Sequence, residues 1–186
     1  MSEQQVLIRV QATPNPNAWK FVLDVPVLSE GKASFSTPEE AYGNRMALDL
    51  LAVEGVKQVH FFGNVITVTH RFDQEPEQVK EQVCAVIQTR MPVHNPDFGP
   101  KDAKLAKRAE LSDELKAIEE ILDRTIRPGL QGDGGDIEVL KYENNQLHVH
   151  YQGACGTCPS STSGTLMAIE GILRDEFNPA IEVIPY

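Results

Sequence analysis

Residues 147–161 read Leu-His-Val-His-Tyr-Gln-Gly-Ala-Cys-Gly-Thr-Cys-Pro-Ser-Ser. The first five alternate between apolar and polar side chains, which predicts a strand whose residues from Leu147 to Tyr151 face a core on one side. Glycines then allow a tight turn, and the proline that follows Cys158 suits the first turn of a helix. The stretch therefore predicts a strand, a turn that carries Cys155 and Cys158, and a helix.

The flanking sequence extends this pattern into one unit over residues 112–186. Ser112 is a good N-cap for a preceding helix, which we expect Pro128 to end. The glycine- and aspartate-rich segment 131–136 predicts a tight turn that feeds a strand and supports the cysteine turn. Residues 181–184 predict a last strand. The order is α-β-β-α-β, a small α+β domain with the CxxC loop between strand and helix.

The first half of the chain predicts a second small α+β domain. Strands are expected at residues 6–11 and 19–25, followed by a helical region from Thr37 to about Ala52 in which Gly43 is a candidate break. Two further features are expected: a β-hairpin formed by residues 56–62 and 65–69 around Gly63-Asn64, and a helix that begins at Pro76. We therefore predict domains at residues 1–92 and 112–186, with residues 93–111 as a proline-containing linker.

Composition excludes several classes of protein. The chain has 186 residues, a net charge of −10 and three cysteines. The charge is −2 over residues 1–111 and −8 over residues 112–186. An acidic chain lacks the basic footprint of a nucleic-acid binder, and no stretch has the length of a membrane span. The polar N-terminus has no signal or transit pattern, so we expect a bacterial-type cytoplasmic protein without a targeting sequence.

The CxxC pair carries the chemistry. Thiolate is the form that binds soft metals or attacks disulfides, and the start of a helix favours it near Cys158. Isolated cysteines usually lie among apolar residues, so a pair set in a glycine-rich turn argues against incidental placement. Three interpretations remain: thiol–disulfide exchange, a structural zinc site completed by His148 and His150, and an iron–sulfur cluster shared between two chains.

Ligand number separates these interpretations in part. A thioredoxin-like fold needs several elements after its CxxC, but only 28 residues follow Cys158. His148 and His150 more naturally occupy the outer face of the predicted sheet than a zinc site. A [4Fe–4S] or [2Fe–2S] cluster wants four cysteinates, which a two-fold dimer supplies from one CxxC per chain. Cys84, alone on a predicted helix, is expected to be a packed core thiol. The alternative is a fifth ligand or a transfer stop for iron.

The C-terminal module resembles the NifU-like domain of Nfu-type iron–sulfur proteins. The similarity rests on the segment Ile126–Val139 with its Gly132-Asp133-Gly134-Gly135-Asp136 run, and on the CxxC loop with the helix after it. It covers about residues 112–186. Residues 6–91 resemble the Nfu N-terminal domain through looser motifs, among them Ala12-Thr13-Pro14-Asn15-Pro16-Asn17.

The resemblance implies a carrier or scaffold without enzymatic activity. In that family the cysteines matched by Cys155 and Cys158 bind a cluster, usually [4Fe–4S], that bridges the two subunits of a homodimer. Proteins of this family receive clusters from upstream donors. The loaded form then passes the cluster to apo iron–sulfur client proteins. No nucleic acid or membrane partner is expected.

Overall fold

Two α+β domains pack against each other in the computed structural model, which describes residues 6–73, 75–98, 111–157 and 159–186. This confirms the predicted fold class. The strands are β1 (Ile8–Ala12), β2 (Ala18–Leu23), β3 (Lys32–Phe35), β4 (Val56–Phe62), β5 (Val65–His70), β6 (Gly135–Glu143), β7 (Gln146–Gly153) and β8 (Glu182–Pro185). The helices are α1 (Arg45–Leu51), α2 (Pro76–Arg90), α3 (Asp113–Thr125), α4 (Arg127–Gly132) and α5 (Pro159–Glu176).

The N-terminal domain is an antiparallel sheet in the order β1-β2-β5-β4-β3, with α1 and α2 packed on one face. The predicted hairpin forms as β4 and β5, and Gly63 at the turn has φ +55°. Phe61 and Ile66 pair across that hairpin and lie in the core. Since side chains alternate along a strand, His60 and Thr67 point to the other face.

The helix predicted from Thr37 is shorter than expected. Thr37 Oγ1 does accept from the Glu40 N–H, and the Glu40 carboxylate accepts from the Ser36 N–H, but these bonds close only a turn. Gly43 then takes φ +88°, and Asn44 caps a new helix, α1, by accepting from the Ala47 N–H. The capping hydrogen bonds predicted at Thr37 therefore form, but the residues after them lack the apolar periodicity that would extend the turn into a helix.

Strand β3 is not among the predicted strands because its polar–apolar alternation runs over only four residues, Lys32 to Phe35. It forms by pairing with β4 at the sheet edge, with Phe35 opposite Val59. Phe35 also contacts Phe61 with ring centroids 5.6 Å apart. Long-range pairing rather than local propensity thus makes this strand.

The C-terminal domain has a three-stranded sheet in the order β6-β7-β8, covered by α3, α4 and α5. Asn144 and Asn145 both have positive φ and close the β6–β7 hairpin. Helix α5 carries the chain from β7 to β8, which lies parallel to β7. The helix prediction needs one correction: Pro128 lies in the first turn of α4, where its missing N–H is harmless, and so begins a helix as well as ending α3.

The segment between the domains is only partly described. Residues 94–98 form turns that pack on the first sheet: Phe98 contacts Phe61, and the His94 ring hydrogen-bonds to the Val27 carbonyl. Residues 99–110 lie outside the described residues, so the limits of the predicted linker stay a prediction. Within the described ranges, every helix is too short or too polar to cross a membrane.

Candidate cluster-binding site

The cysteine turn, residues 154–157, leaves the end of β7 and leads towards α5. It forms one turn of 3-10 helix, as the glycine-rich sequence allows. Because the β6–β7 hairpin pairs Gly135 with Gly153, the start of β6 lies beside the cysteine turn. Cys155 lies in this turn, whereas Cys158 falls outside the described residues.

The glycine- and aspartate-rich segment supports the cysteine turn directly. The Ala154 N–H donates to the Gly134 carbonyl at 3.1 Å. A methyl group built on Gly135 would lie 2.4 Å from Cys155 Sγ and 2.9 Å from its backbone nitrogen. Only a glycine at position 135 leaves room for the cysteine, which confirms the supporting role predicted for segment 131–136.

Cys155 is more buried than its glycine-rich setting implies. Its exposure is 6%, and it packs in the C-terminal hydrophobic core with Tyr151. Burial raises the pKa of Tyr151, and the nearby Cys155 adds to that shift because two negative charges there repel. Cys155 therefore belongs to the core of its domain although it lies in a turn.

Asp136 is the electrostatic centre of the site. It is 1% exposed and accepts from its neighbour's amide, Ile137 N–H, at 2.6 Å. The Arg127 guanidinium lies 3.5 Å from one carboxylate oxygen and the Lys32 ammonium 3.1 Å from the other. Two cations from different domains therefore neutralise one buried carboxylate, as buried charge requires.

Arg127 links this carboxylate to α3. Burial alone would lower the pKa of Arg127, but hydrogen bonds and charge from Glu119 and Asp123 raise it. The guanidinium stays charged and bridges α3, α4 and β6. This network fixes the start of β6, against which Cys155 packs.

The N-terminal domain reaches the cysteine turn itself. Asn15, in the loop between β1 and β2, is 1% exposed and donates from Nδ2 to the Ala154 carbonyl at 2.9 Å. Its Oδ1 accepts from the Asn17 N–H within the same loop. Lys20 on β2 donates to the Gly132 carbonyl at 2.5 Å. With the Lys32–Asp136 pair, the N-terminal domain thus contacts three parts of the site: α4, β6 and the cysteine turn.

Lys32 and His60 complete this contact. Lys32 Nζ donates to the Ile137 carbonyl at 2.9 Å besides pairing with Asp136. Burial lowers the pKa of Lys32, and the Asp136 charge opposes that shift. Burial lowers the pKa of His60 to about 4, so the ring is neutral at pH 7; its Nδ1 lies 2.7 Å from Ser34 Oγ.

The two histidines of the zinc interpretation lie away from the cysteine. His148 and His150 are half-buried on β7 and alternate with Leu147 and Val149, which face the core that contains Cys155. Across the described ranges there is no group of three or more histidine, cysteine, aspartate or glutamate side chains placed to hold a metal ion. These ranges do not include Cys158.

Cys84 is remote from the site in the fold as well as in the sequence. It is half-buried on α2 and packs against the edge of the N-terminal core, and burial raises the pKa of its thiol. Cys84 therefore packs against the core as predicted, but it lies at the edge of the core and is only half-buried. A thiol held protonated in this way is a poor metal ligand.

Sequence reasoning missed the residues that one domain contributes to the site of the other. Asn15, Lys32, His60 and Tyr151 were not selected as site residues. The sequence does carry a signal for His60 and Thr67. Both are polar residues between apolar residues of a strand, so they lie on the face of the sheet that is turned away from the core. Nothing in the sequence shows that the C-terminal domain covers this face.

Comparison with known families now bears on these two domains. A family model described as "Scaffold protein Nfu/NifU N terminal" matches residues 8–93, and one described as "NifU-like domain" matches residues 118–184. The chain belongs to the Nfu/NifU family of scaffold proteins. Both matched regions coincide with the two sheets, in the order that the resemblance predicted.

Two relatives illustrate the similarity along the whole chain. The human protein named NFU1 iron-sulfur cluster scaffold homolog, mitochondrial, is 34% identical over 171 residues, which cover 91% of this chain and 67% of that protein. The Arabidopsis thaliana protein named NifU-like protein 4, mitochondrial, is 32% identical over 174 residues, which cover 90% of this chain. The chain spans 62% of the length of this Arabidopsis relative and 61% of a Drosophila ananassae one.

The names of these relatives overturn one prediction. Both are named as mitochondrial, so the expectation of a bacterial-type cytoplasmic protein is wrong. That expectation rested on the polar residues at the start of the sequence. Those residues were therefore a poor guide to the compartment in which the protein acts.

Proposed function

We propose that this Nfu/NifU scaffold protein carries an iron–sulfur cluster bound by Cys155 and Cys158 and passes it to apo-proteins. The observation that carries the proposal is the place of Cys155 in a glycine-lined turn between β7 and α5. The names of the relatives, which state iron–sulfur cluster scaffold, support the nature of the cargo. Their compartment favours a mitochondrial site of action.

The number of ligands favours a cluster shared by two copies of the chain. Four thiolates are needed, and one CxxC supplies half of them. A two-fold axis at the cysteine turns would bring two pairs together as a homodimer. The family resemblance favours [4Fe–4S] over [2Fe–2S]. The orientation of His148 and His150, away from the Cys155 side of β7, argues against a zinc site within one chain.

A carrier role follows from two ligands per chain. A cluster held by only two thiolates from each subunit is released stepwise when a client offers more of them. The chain would then receive clusters from upstream donors and deliver them to client proteins, with no turnover chemistry of its own. The domains at residues 1–92 and 112–186 would have separate tasks, client contact and cluster binding.

Anaerobic reconstitution with ferrous iron and sulfide tests this function. We expect a brown dimer with about four iron and four sulfide ions, the content of one four-cysteinate [4Fe–4S] cluster. Cys155→Ala or Cys158→Ala should each abolish both the colour and the dimer. Cys84→Ala is the matched control and should keep both, because its thiol lies on α2 in the other domain.

Three outcomes would contradict the proposal. Colourless protein with one zinc per chain would support the structural-metal interpretation. Dithiol reductase activity without iron would support thiol–disulfide exchange. A cluster that survives loss of either CxxC cysteine would place the ligands elsewhere in the chain.

A further inference from the structure

One face of the N-terminal sheet is polar and yet buried. Lys20, Thr67, His60 and Ser34 pair in register across β2, β5, β4 and β3. Thr67 and His60 are 1% and 2% exposed. The second face of an antiparallel sheet is commonly solvated, and a polar face suits that state. Here the C-terminal domain covers it.

The cover fits closely at two glycines of the C-terminal domain. A methyl group built on Gly134 would lie 2.7 Å from Lys20 Cγ and 2.8 Å from Thr67 Oγ1. One built on Gly153 would lie 3.2 Å from His60 Cδ2. Gly153 immediately precedes the cysteine turn. The backbone at Gly153 and at the neighbouring Gly134 therefore rests directly on the N-terminal sheet.

Directional bonds hold the cysteine turn in this position. The Ala154 amide is tied to Gly134 within its own domain, and the Ala154 carbonyl accepts from Asn15 of the other domain. Lys32 holds the adjoining start of β6 through Asp136 and the Ile137 carbonyl. Both polar groups of the residue before Cys155 are thus fixed.

Cys155 cannot serve as a shared ligand in this arrangement. Its exposure is 6%, and the space between Sγ and Gly135 does not admit even a methyl group. A metal bound by two chains needs the sulfur to face the partner chain. The cysteine turn must therefore move. The hydrogen bond from Asn15 to the Ala154 carbonyl and the one from the Ala154 amide to Gly134 oppose that movement.

We infer that the N-terminal domain is a clamp that holds the cysteine turn closed in the apo protein, through Asn15 and Lys32, and that the domains must separate before Cys155 binds a cluster. This inference rests on the proposed function of Cys155. Asn15 acts as a positioning residue through Ala154. A donor that binds the open state would shift the equilibrium towards it, as any ligand selective for a minor conformation does.

Thiol labelling of the apo protein tests the clamp without iron. Full-length reduced protein is treated with N-ethylmaleimide, and the modification of Cys155, Cys158 and Cys84 is followed separately by fragment-ion mass spectrometry. Asn15→Asp keeps the acceptor for the Asn17 N–H but replaces the donor to Ala154 with a carboxylate oxygen. We expect Cys155 to react about tenfold faster in this variant, because a lost buried hydrogen bond changes an opening equilibrium on that scale.

Lys32→Met is a second variant that does not touch the Asn15 loop. It removes the cation that bridges to Asp136 while Arg127 still neutralises that carboxylate, and it should also speed labelling of Cys155 several-fold. Lys57→Met is the matched control, since Lys57 is exposed on β4 of the same domain. It should label at the wild-type rate.

Cys84 reports whether a variant is simply unfolded. It packs against the N-terminal core, so unfolding of that domain raises its labelling together with that of Cys155. Faster labelling of Cys155 alone supports the clamp. Wild-type labelling of Cys155 in both folded variants would overturn it. Because no iron is used, the two tests are independent. Labelling can support the clamp in a protein that binds no cluster, and it can overturn the clamp in a protein that binds one.

Discussion

Cys155 lies where two domains and two glycines meet. Its sulfur packs against Gly135, its backbone follows a residue held by Asn15, and its neighbour Tyr151 shares the same core. At the scale of the residue, the site is defined by close packing around Cys155, which leaves no space for a side chain at position 135. Glycine at position 135 is required by space rather than by backbone conformation, whereas Gly134 and Gly153 have positive φ as well.

Substitution of Gly135 tests this packing. Gly135→Ala places a methyl group against both the side chain and the backbone of Cys155, so we expect a loss of about 1–3 kcal/mol in the free energy of unfolding. Urea unfolding followed by circular dichroism measures it. Gly129→Ala, in α4 with open space around it, is the control and should stabilise by up to about 1 kcal/mol. Equal effects of the two changes would contradict the packing argument.

At the scale of the element, strands β4 and β5 serve two cores. Phe61 and Ile66 face α1 and α2, while His60 and Thr67 face the C-terminal domain. Burying polar groups is costly unless they are hydrogen-bonded, and burying an unpaired charge is costlier still. His60 avoids the larger cost by staying neutral, since burial lowers its pKa to about 4 from an ordinary 6.5.

This shift predicts a dependence of stability on pH. The unfolded chain takes up a proton on His60 near pH 6.5 and the folded protein only near pH 4, so stability falls as pH decreases through that window. The loss from this group between pH 7.5 and pH 5 is about 2 kcal/mol. Fluorescence of Trp19, the single tryptophan, reports unfolding of this domain in urea. His60→Gln should flatten the slope, and an unchanged slope would refute the assignment.

At the scale of the whole molecule, both halves of the chain are net acidic, but opposite charges meet where the two domains touch. Lysines of the N-terminal sheet meet Asp136 and backbone carbonyls of the acidic C-terminal domain. The resulting interface covers the turn that carries Cys155. The arrangement present in the structure buries Cys155, and on the clamp inference a second, open arrangement would let it share a cluster.

The clamp should control the rate of loading but not its extent. We expect Asn15→Asp to take up iron and sulfide about tenfold faster than the wild type during anaerobic reconstitution, by the same change in opening equilibrium. The visible absorption of the cluster follows the rate, and final iron content should be equal. Lys57→Met should load like the wild type. A lower final iron content in Asn15→Asp would instead assign Asn15 a role in holding the cluster.

Much of the fold follows from local patterns. The Gly63-Asn64 hairpin and the helix capped by Ser112 formed as predicted, because turn and capping chemistry act within a few residues. Strand β3 and the shortened α1 did not, because pairing with β4 and the positive φ of Gly43 decide them. The assignment of Cys155 and Cys158 as ligands stays a prediction.

The sequence by itself determined that two α+β domains are present and that a CxxC turn joins a strand to a helix, since both depend on neighbouring residues. Only the tertiary structure decided that Cys155 is buried and that Asn15 and Lys32 of the other domain hold its surroundings. Those contacts join residues more than a hundred positions apart. They depend on how one folded surface fits another, which no local pattern encodes.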